Sequence, residues 1–320
     1  MAVIRANTRG MRCNVRSGAL GVLGVTCLLG AARAEPDSLD DLLGPREIAV
    51  GEAMRGGATG ASAIGMNPAG LPLNRELVFE GGYGYRPTDS ASLIGVSACD
   101  STNLMPGCFF YDYAGSSVEL DGMTKTRRTH VGGLAISRQF VPRVLIGATT
   151  KYYDFESDVM GEQGASGVAL DFGATVRVTE IINLGFSAQN LYASEKSPQF
   201  PRALGGGVHA RPIPELALSF DMRWKLEGSN TSARYGGGAE YFLRSKQSGY
   251  PIRIGALRDS GLDSTYVSGG IGFANLKWGV DVGARHQVKN GAETVILASM
   301  RFFGPRMPAP NLDPDGAGLQ

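Results

Sequence analysis

Charged side chains that could act on a ligand recur at every second position in several stretches of the chain. In residues 215–226, Asp221, Arg223 and Lys225 alternate with large apolar residues. A period of two is the pattern of a β-strand with one polar and one apolar face. Thirteen charges, eight basic and five acidic, fall on such polar faces: Glu80, Lys151, Asp171, Arg177, Asp221, Arg223, Lys225, Arg234, Glu240, Arg253, Asp281, Arg285 and Arg301.

Two interpretations fit these charges if the polar faces line an interior. The interior could orient a polar head group, and the basic excess would then favour anions. Alternatively, the charges could fill the interior as ion pairs, because a buried charge needs a partner. We give the ion-pair filling more weight and leave both interpretations open.

Residue types that support catalysis or metal binding are sparse. The three histidines, His130, His209 and His286, show no spacing typical of a serine hydrolase. The chain has neither a phosphate-binding loop nor a zinc-ligand spacing, so we expect no enzyme, no cofactor and no metal. Cys99 and Cys108 bracket a small polar loop and predict a disulfide in an oxidising compartment.

Composition narrows the class of protein further. The net charge of +1 does not favour nucleic acid as a partner. The 46 glycines are typical of a β-rich chain with many turns and close backbone contacts. Four arginines, an apolar run at 18–30 and an Ala-Arg-Ala site at 32–34 predict a cleaved signal peptide over residues 1–34.

The elements that must position the charges are predicted to be β-strands. Alternation is clearest at 167–178, 215–226 and 276–287. Eleven further strands are expected at 77–85, 92–98, 109–120, 130–138, 144–153, 182–191, 204–211, 233–243, 252–257, 265–273 and 293–303. The total of about fourteen, with strand lengths near the roughly 9–11 residues that cross a bilayer, predicts an all-β, antiparallel transmembrane barrel.

Loop lengths and aromatic residues favour a membrane barrel over a soluble exported β domain. Short connections alternate with longer, more polar ones, as in outer-membrane barrels with short periplasmic turns. An even strand number places both termini at the periplasmic end, and the loop between Cys99 and Cys108 is then an exception to the short turns. The last predicted strand ends in Phe302 and Phe303, an aromatic ending of the kind that barrel-assembly machinery reads.

The segment before the first strand has a different character. Residues 51–73 are rich in Gly and Ala and have no clear period. Asn67 and Pro68 are suited to starting a tight turn, and the neighbouring glycines allow close backbone packing. We therefore predict a plug segment at 35–75, a barrel at 76–303 and a Pro-rich tail at 304–320. The plug could be movable or a fixed closure, and both remain open.

The same segment resembles a known family. Its Gly-Gly-Ala and Asn-Pro-Ala-Gly elements resemble the N-terminal segment of the FadL-type outer-membrane transporters and their PorV-like relatives. The resemblance implies a fourteen-stranded barrel, a plug that closes the lumen, and hydrophobic compounds that leave sideways through a kinked strand. The matching plug-motif positions are Gly56, Gly57, Ala58, Asn67, Pro68, Ala69 and Gly70.

Two functional hypotheses follow. The first is a passive, plug-gated outer-membrane channel for small hydrophobic or amphipathic molecules. The second is a non-transporting barrel that serves as a scaffold in a secretion or surface complex. The expected partners are membrane lipids, small hydrophobic solutes and the assembly machinery. A channel needs a break in its wall, and we expect it at a glycine cluster, at residues 205–207, 236–238 or 269–270.

Overall fold

A computed structural model describes residues 42–120, 122–195, 197–226 and 232–306. The predicted signal peptide, the first residues of the predicted plug and the tail after residue 306 lie outside these ranges. The predicted long loop near residue 230 also falls largely outside them.

Fourteen antiparallel strands form one closed barrel in the described part of the chain. Each strand pairs with its neighbours in sequence, and β1 pairs with β14 to close the ring. The strands are β1 Glu76–Arg86, β2 Ala91–Asp100, β3 Gly107–Leu120, β4 Met123–Val141, β5 Val144–Ser157, β6 Ala165–Arg177, β7 Ile182–Ala193, β8 Ala203–Ile213, β9 Leu216–Lys225, β10 Ala233–Ser245, β11 Ser248–Asp259, β12 Ser264–Asn275, β13 Trp278–Lys289 and β14 Thr294–Arg306.

The predicted fold class is confirmed, and every predicted strand overlaps one of these fourteen. The largest difference in length is in β4, which has 19 residues because it continues as a hairpin with β3 beyond the end of β2. Hairpin residues outside the barrel wall face water on both sides. They therefore lack the apolar alternation by which the other strands were recognised.

The outward face of the barrel is apolar. Phe79, Phe109, Phe140, Ile254 and Ile271 are each more than half exposed. Along β9 the outward positions are apolar and the inward ones include Asp221 and Arg223, as the alternation predicts. A continuous apolar exterior combined with a closed hydrogen-bond ladder is the arrangement that a lipid bilayer requires.

The two ends of the barrel differ. We name the end that holds the start of β1 and the end of β14 the turn end, and the opposite end the loop end. The turn end has mostly two-residue connections, and its longest connection is 101–106. The loop end includes the longer connections 158–164 and 194–202. The predicted asymmetry is confirmed, and a Cys99–Cys108 disulfide ties β2 to β3 at the longest turn.

The N-terminal segment, residues 42–75, lies inside the barrel, and we name it the plug. It contains two short helices, α1 Pro45–Ala49 and α2 Ala61–Met66, followed by a 3-10 helix at Pro68–Leu73. Ile48, Met66 and Leu71 are buried almost completely. Helix α1 contacts β11 to β14, and the 3-10 helix contacts β4 to β7. Within the described residues, no helix is long and apolar enough to cross a membrane.

Candidate functional site

The plug backbone packs on inward-facing glycines of the barrel wall. Among the described residues, a side chain at any of nine glycines would collide with the plug: Gly147, Gly173, Gly185, Gly205, Gly236, Gly238, Gly255, Gly270 and Gly283. These glycines lie on β5 to β8 and β10 to β13. A glycine permits this approach because it has no Cβ to occupy the space between wall and plug.

The expectation of a wall break at a glycine cluster is therefore wrong. Gly205, Gly236 and Gly270 each face the plug, and each keeps its partners in the antiparallel ladder. Sequence alone shows only that these positions lack a side chain. Whether the missing side chain makes room for a ligand or for the backbone of the plug depends on where the plug lies.

A buried ion pair holds the middle of the plug to β9. Asp221 Oδ2 accepts hydrogen bonds from the backbone N–H groups of Met54 (3.0 Å) and Arg55 (2.9 Å). The same oxygen lies 3.1 Å from Nη1 of Arg55. The Arg55 Nε also donates to Ser187 Oγ at 3.0 Å. Three donors on one buried carboxylate oxygen make this a strong, charge-assisted contact.

Asn67, a predicted plug-motif residue, is fully buried and connects two parts of the plug to the wall. Its amide nitrogen lies 2.9 Å from the carbonyl oxygen of Arg55 and 2.9 Å from Thr175 Oγ1 on β6. Its amide oxygen accepts the N–H of Ala69 at 3.2 Å and starts the 3-10 helix. The Asn-Pro-Ala element is thus a turn whose side chain also fastens the plug to the barrel.

The remaining plug-motif residues provide close packing. Ala58 and Ala69 are completely buried, and Pro68 and Gly70 are buried beside them. Gly56 lies against the backbone of β7 and β8, and Gly57 packs on the His209 ring. A gating role for these positions stays a prediction.

A third contact, made by Glu52, fastens the plug just before Met54. Glu52 lies 2.5 Å from Arg285 Nη1 on β13 and 3.4 Å from Arg234 Nη1 on β10. Arg234 also pairs with Asp259 at 2.6 Å. Glu52 follows Gly51, whose positive φ of 67° turns the backbone so that this carboxylate reaches the wall.

Four of the predicted lumen-facing residues form an ion-pair network of their own. Asp281, fully buried on β13, lies 2.6 Å from Arg253 and 2.5 Å from Arg301. Arg253 also pairs with Glu240 at 2.5 Å. This network matches the ion-pair filling. Asp171 pairs with Lys151 at 2.7 Å, Arg223 is buried on β9, and Arg177 is half-buried near the turn end. Any role of these charges in solute passage stays a prediction.

A cavity of about 110 Å³ lies beside the plug, with most of its wall on β14, β1, β2 and β3 and the rest on β4 to β7. None of the nine glycines that pack against the plug lies on β14, β1, β2 or β3. Apolar residues of the plug and the wall form one part of its lining, namely Leu42, Leu43, Ile64, Leu93, Phe110, Val131 and Leu297. Glu47, Glu80, Asp112, Lys151 and Asp171 form another part. The cavity is therefore amphipathic.

Sequence reasoning placed Glu80, Lys151 and Asp171 inward but did not identify Glu47 or Asp112. Asp112 alternates with the outward aromatic residues Tyr111 and Tyr113 on β3, and that alternation was a usable signal. Glu47 lies on a one-turn helix, for which no periodicity exists. The basic excess among the thirteen charges does not extend to the cavity, where acidic residues outnumber Lys151.

The apolar part of the cavity continues toward the loop end. Phe110 and Val131 pack in one cluster with Tyr153, Phe155 and Phe200. Phe200 belongs to the β7–β8 connection, and its ring centre lies 4.4 Å from that of Tyr153. This connection therefore folds inward, and the cavity and the loop end share an apolar cluster.

One histidine and one serine meet inside the barrel. His209 Nδ1 lies 2.9 Å from Ser219 Oγ. Within the described part of the chain no carboxylate is shown bonded to this histidine, so the third group of a nucleophilic triad is not assembled. The same residues contain no group of three or more His, Cys, Asp or Glu side chains placed to hold a metal ion.

Comparison with solved structures identifies proteins with a similar fold. The chain is similar to the CymD monoaromatic hydrocarbon channel, with 13% identity, a TM-score of 0.63 and coverage of 82% of this chain and 97% of the other. It is similar to the toluene transporter TbuX of Ralstonia pickettii, with 12% identity, a TM-score of 0.61 and coverage of 83% and 99%. It is also similar to the Pseudomonas putida toluene transporter TodX, with 10% identity, a TM-score of 0.63 and coverage of 82% of this chain and 97% of the other.

The chain has the fold of the FadL-type channels. A FadL homologue of Pseudomonas aeruginosa also matches, with 10% identity, a TM-score of 0.50 and coverage of 75% and 93%. No family model matches the chain. No curated protein matches it either. The FadL-type resemblance seen in the sequence is thus confirmed for the fold, whereas these matches do not support the PorV-like relatives. All four proteins are named as channels, transporters or a FadL homologue.

Proposed function

We propose that this protein is a passive, plug-gated outer-membrane channel for small hydrophobic or amphipathic molecules. The observation that carries the proposal is the cavity of about 110 Å³ beside the plug, whose wall is mostly on β14, β1, β2 and β3. A dry, apolar cavity of roughly 150 Å³ is known to hold benzene, and the present cavity is somewhat smaller, which limits the solute to about the size of one small ring or a short chain. The names of the matched hydrocarbon channels and toluene transporters support the same solute size.

The same cavity supports the scaffold hypothesis less well than the channel hypothesis. A scaffold gains nothing from an open internal space, and the plug could have filled the barrel evenly. Instead it seats on β5 to β8 and β10 to β13, and most of the cavity wall is on β14, β1, β2 and β3, where no glycine seats the plug. Within this proposal, residues 1–34 are a signal peptide that is removed, residues 35–75 form the plug, and 76–303 form the barrel. Membrane lipids and the barrel-assembly machinery are its expected partners.

Transport is best tested in vesicles whose outer leaflet is lipopolysaccharide, because toluene crosses a phospholipid bilayer without a protein. We expect the full-length barrel to speed toluene entry above that of empty vesicles. Ser97 lines the cavity, so Ser97→Phe should slow entry by filling it. Ile254→Phe is the matched control, since it adds a ring on the lipid-facing side.

The proposal would be wrong if toluene entered vesicles that contain the barrel no faster than it enters empty vesicles. Equal rates for the wild type and Ser97→Phe would show that the solute does not pass through this cavity. A slower rate for the Ile254→Phe control would mean that insertion of the barrel, rather than the route of the solute, had changed.

A further inference from the structure

The polar part of the cavity lining has more acidic than basic side chains. Lys151 and Asp171 lie 2.7 Å apart, are both buried, and neutralise each other. Glu47, Glu80 and Asp112 remain, and no arginine contributes to the lining. Across the described residues, none of these three carboxylates forms an ion pair within 4 Å, although the buried Asp221 and Asp281 are both paired.

Glu47 interacts electrostatically with each of the other two carboxylates. Its charge acts on Glu80, where Arg301 and Arg46 oppose it, and on Asp112, where Lys151 opposes it. Like charges held close together in a buried space disfavour full ionisation, and either bound protons or a bound cation relieves the repulsion. The cavity is consequently better suited to a positive group than to a neutral or negative one.

Two further polar atoms point to a missing donor. Glu47 Oε2 and Thr149 Oγ1 have no hydrogen-bond partner among the described residues, and both side chains line the cavity. Glu47 is 4% exposed and Thr149 is fully buried. A buried polar atom without a partner costs about 1–3 kcal/mol, so a ligand that donates hydrogen bonds here recovers that cost.

The apolar part of the cavity can hold the hydrocarbon portion of such a ligand. Leu43, Ile64, Leu93, Phe110 and Leu297 offer contacts for a hydrocarbon body. A protonated amine has three hydrogen-bond donors and no acceptor, which matches a set of carboxylate and hydroxyl oxygens. A carboxylate-bearing solute would instead add a fourth acidic group to the three already present.

We infer that the cavity binds small amphipathic amines, with the hydrocarbon body against Phe110 and Leu297 and the ammonium group at Glu47, Glu80 and Asp112. The inference rests on the proposed function, because it names the class of solute that the proposed channel takes. It places the selectivity of the channel in the charge of the solute as well as in its size.

Three probes of nearly equal shape test the inference on the full-length protein in nanodiscs. They are 2-phenylethylamine, propylbenzene, which replaces the ammonium group by a methyl group, and 3-phenylpropanoate. Calorimetric titration at pH 7 should give a dissociation constant for the amine at least about tenfold below that of propylbenzene, which corresponds to about 1.4 kcal/mol. The anion should bind most weakly.

Variants of the cavity carboxylates test whether these side chains cause the preference for the amine. Asp112→Asn and Glu47→Gln should each reduce the ratio of amine to propylbenzene affinity several-fold. Glu215→Gln is the matched control, because Glu215 lies at the turn end in a solvent-exposed pair with Arg244. The wild-type comparison of the three probes does not depend on any variant, so misfolding of a variant leaves that test intact.

The outcomes separate the inference from the function on which it rests. Equal binding of the amine and propylbenzene, or tighter binding of the anion, overturns the inference and leaves a channel for neutral rings. Binding of none of the three probes overturns both. An amine preference that survives Asp112→Asn together with Glu47→Gln also overturns the inference, because the charge would then act elsewhere.

Discussion

Asp221 gives the sharpest test of how the plug is held. The change Asp221→Asn keeps the shape of the side chain and one acceptor oxygen but removes its charge. In the native protein one carboxylate oxygen accepts the backbone N–H groups of Met54 and Arg55 at 3.0 Å and 2.9 Å. The Arg55 guanidinium lies 3.1 Å from the same oxygen, and both side chains are buried.

The expected magnitude follows from these contacts. Removing one partner of a buried ion pair costs about 3–5 kcal/mol, because the other charge stays buried. The asparagine oxygen can keep the two backbone hydrogen bonds, so the lower value, about 3 kcal/mol, applies. Since about 1.4 kcal/mol is a factor of ten, the population with an undocked plug should rise roughly a hundredfold.

Hydrogen exchange measures that population directly. In full-length protein in nanodiscs, amides in residues 50–58 should exchange roughly a hundredfold faster in the variant, because local opening sets their exchange rate. Peptides from β9 and β10 should not change. Glu215→Gln is the control, since the Arg244–Glu215 pair is solvent-exposed and such pairs contribute about 0–1 kcal/mol.

Unchanged exchange in residues 50–58 would refute the idea that this ion pair holds the plug. Faster exchange throughout the barrel strands would refute it differently, because Asp221 would then stabilise the wall instead. Faster exchange of the plug in the Glu215→Gln control would show that the readout is not specific to the buried pair.

Three further perturbations have defined outcomes. Gly185→Ala should dislodge the plug and raise its hydrogen exchange because the new Cβ would overlap a plug carbonyl oxygen. The outward-facing Gly206→Ala should not, because its Cβ would make only ordinary van der Waals contact with Phe186. Cys108→Ser should lower the melting temperature through the loss of about 2–3 kcal/mol from a short closed loop, and reductant should then have no added effect. In the β11–β12 connection, hydrogen bonds from Lys289 and a nearby guanidinium lower the pKa of Asp263 to about 2. A depressed pKa stabilises above the unfolded value of about 3.9, so the small difference in melting temperature between the wild type and Asp263→Asn should shrink as the pH falls from about 4 and disappear below about pH 2.

Strand prediction succeeded where a strand has lipid on one side and the lumen on the other. On β9, Phe220 faces outward and Asp221 inward, and the alternation of apolar and charged residues in the sequence predicts this difference. Prediction was least complete for β4, where residues beyond the barrel rim meet water on both faces and lose the alternation. Period-two patterns arise only when the two faces of a strand meet different solvents.

The site was predicted less completely than the fold. Asn67 was identified from its motif, and the structure adds contacts to Arg55 and Thr175, two residues that no spacing rule connects to it. Glu47 lies in a one-turn helix and Asp112 in a strand with large aromatic neighbours. Their convergence on one cavity depends on how the plug is rotated inside the barrel, which local sequence does not encode.

By itself the sequence determined the number and order of strands, the direction of each face and the presence of a separate N-terminal segment. These features depend on local alternation and turn residues. Only the tertiary structure decided that glycines seat the plug, that the basic residues mostly pair, and that three carboxylates remain unpaired in the cavity. These features arise from contacts between different strands, as between Arg253 and Asp281, and between the plug and distant strands, as between Arg55 and Asp221, because barrel closure and plug insertion bring such residues together.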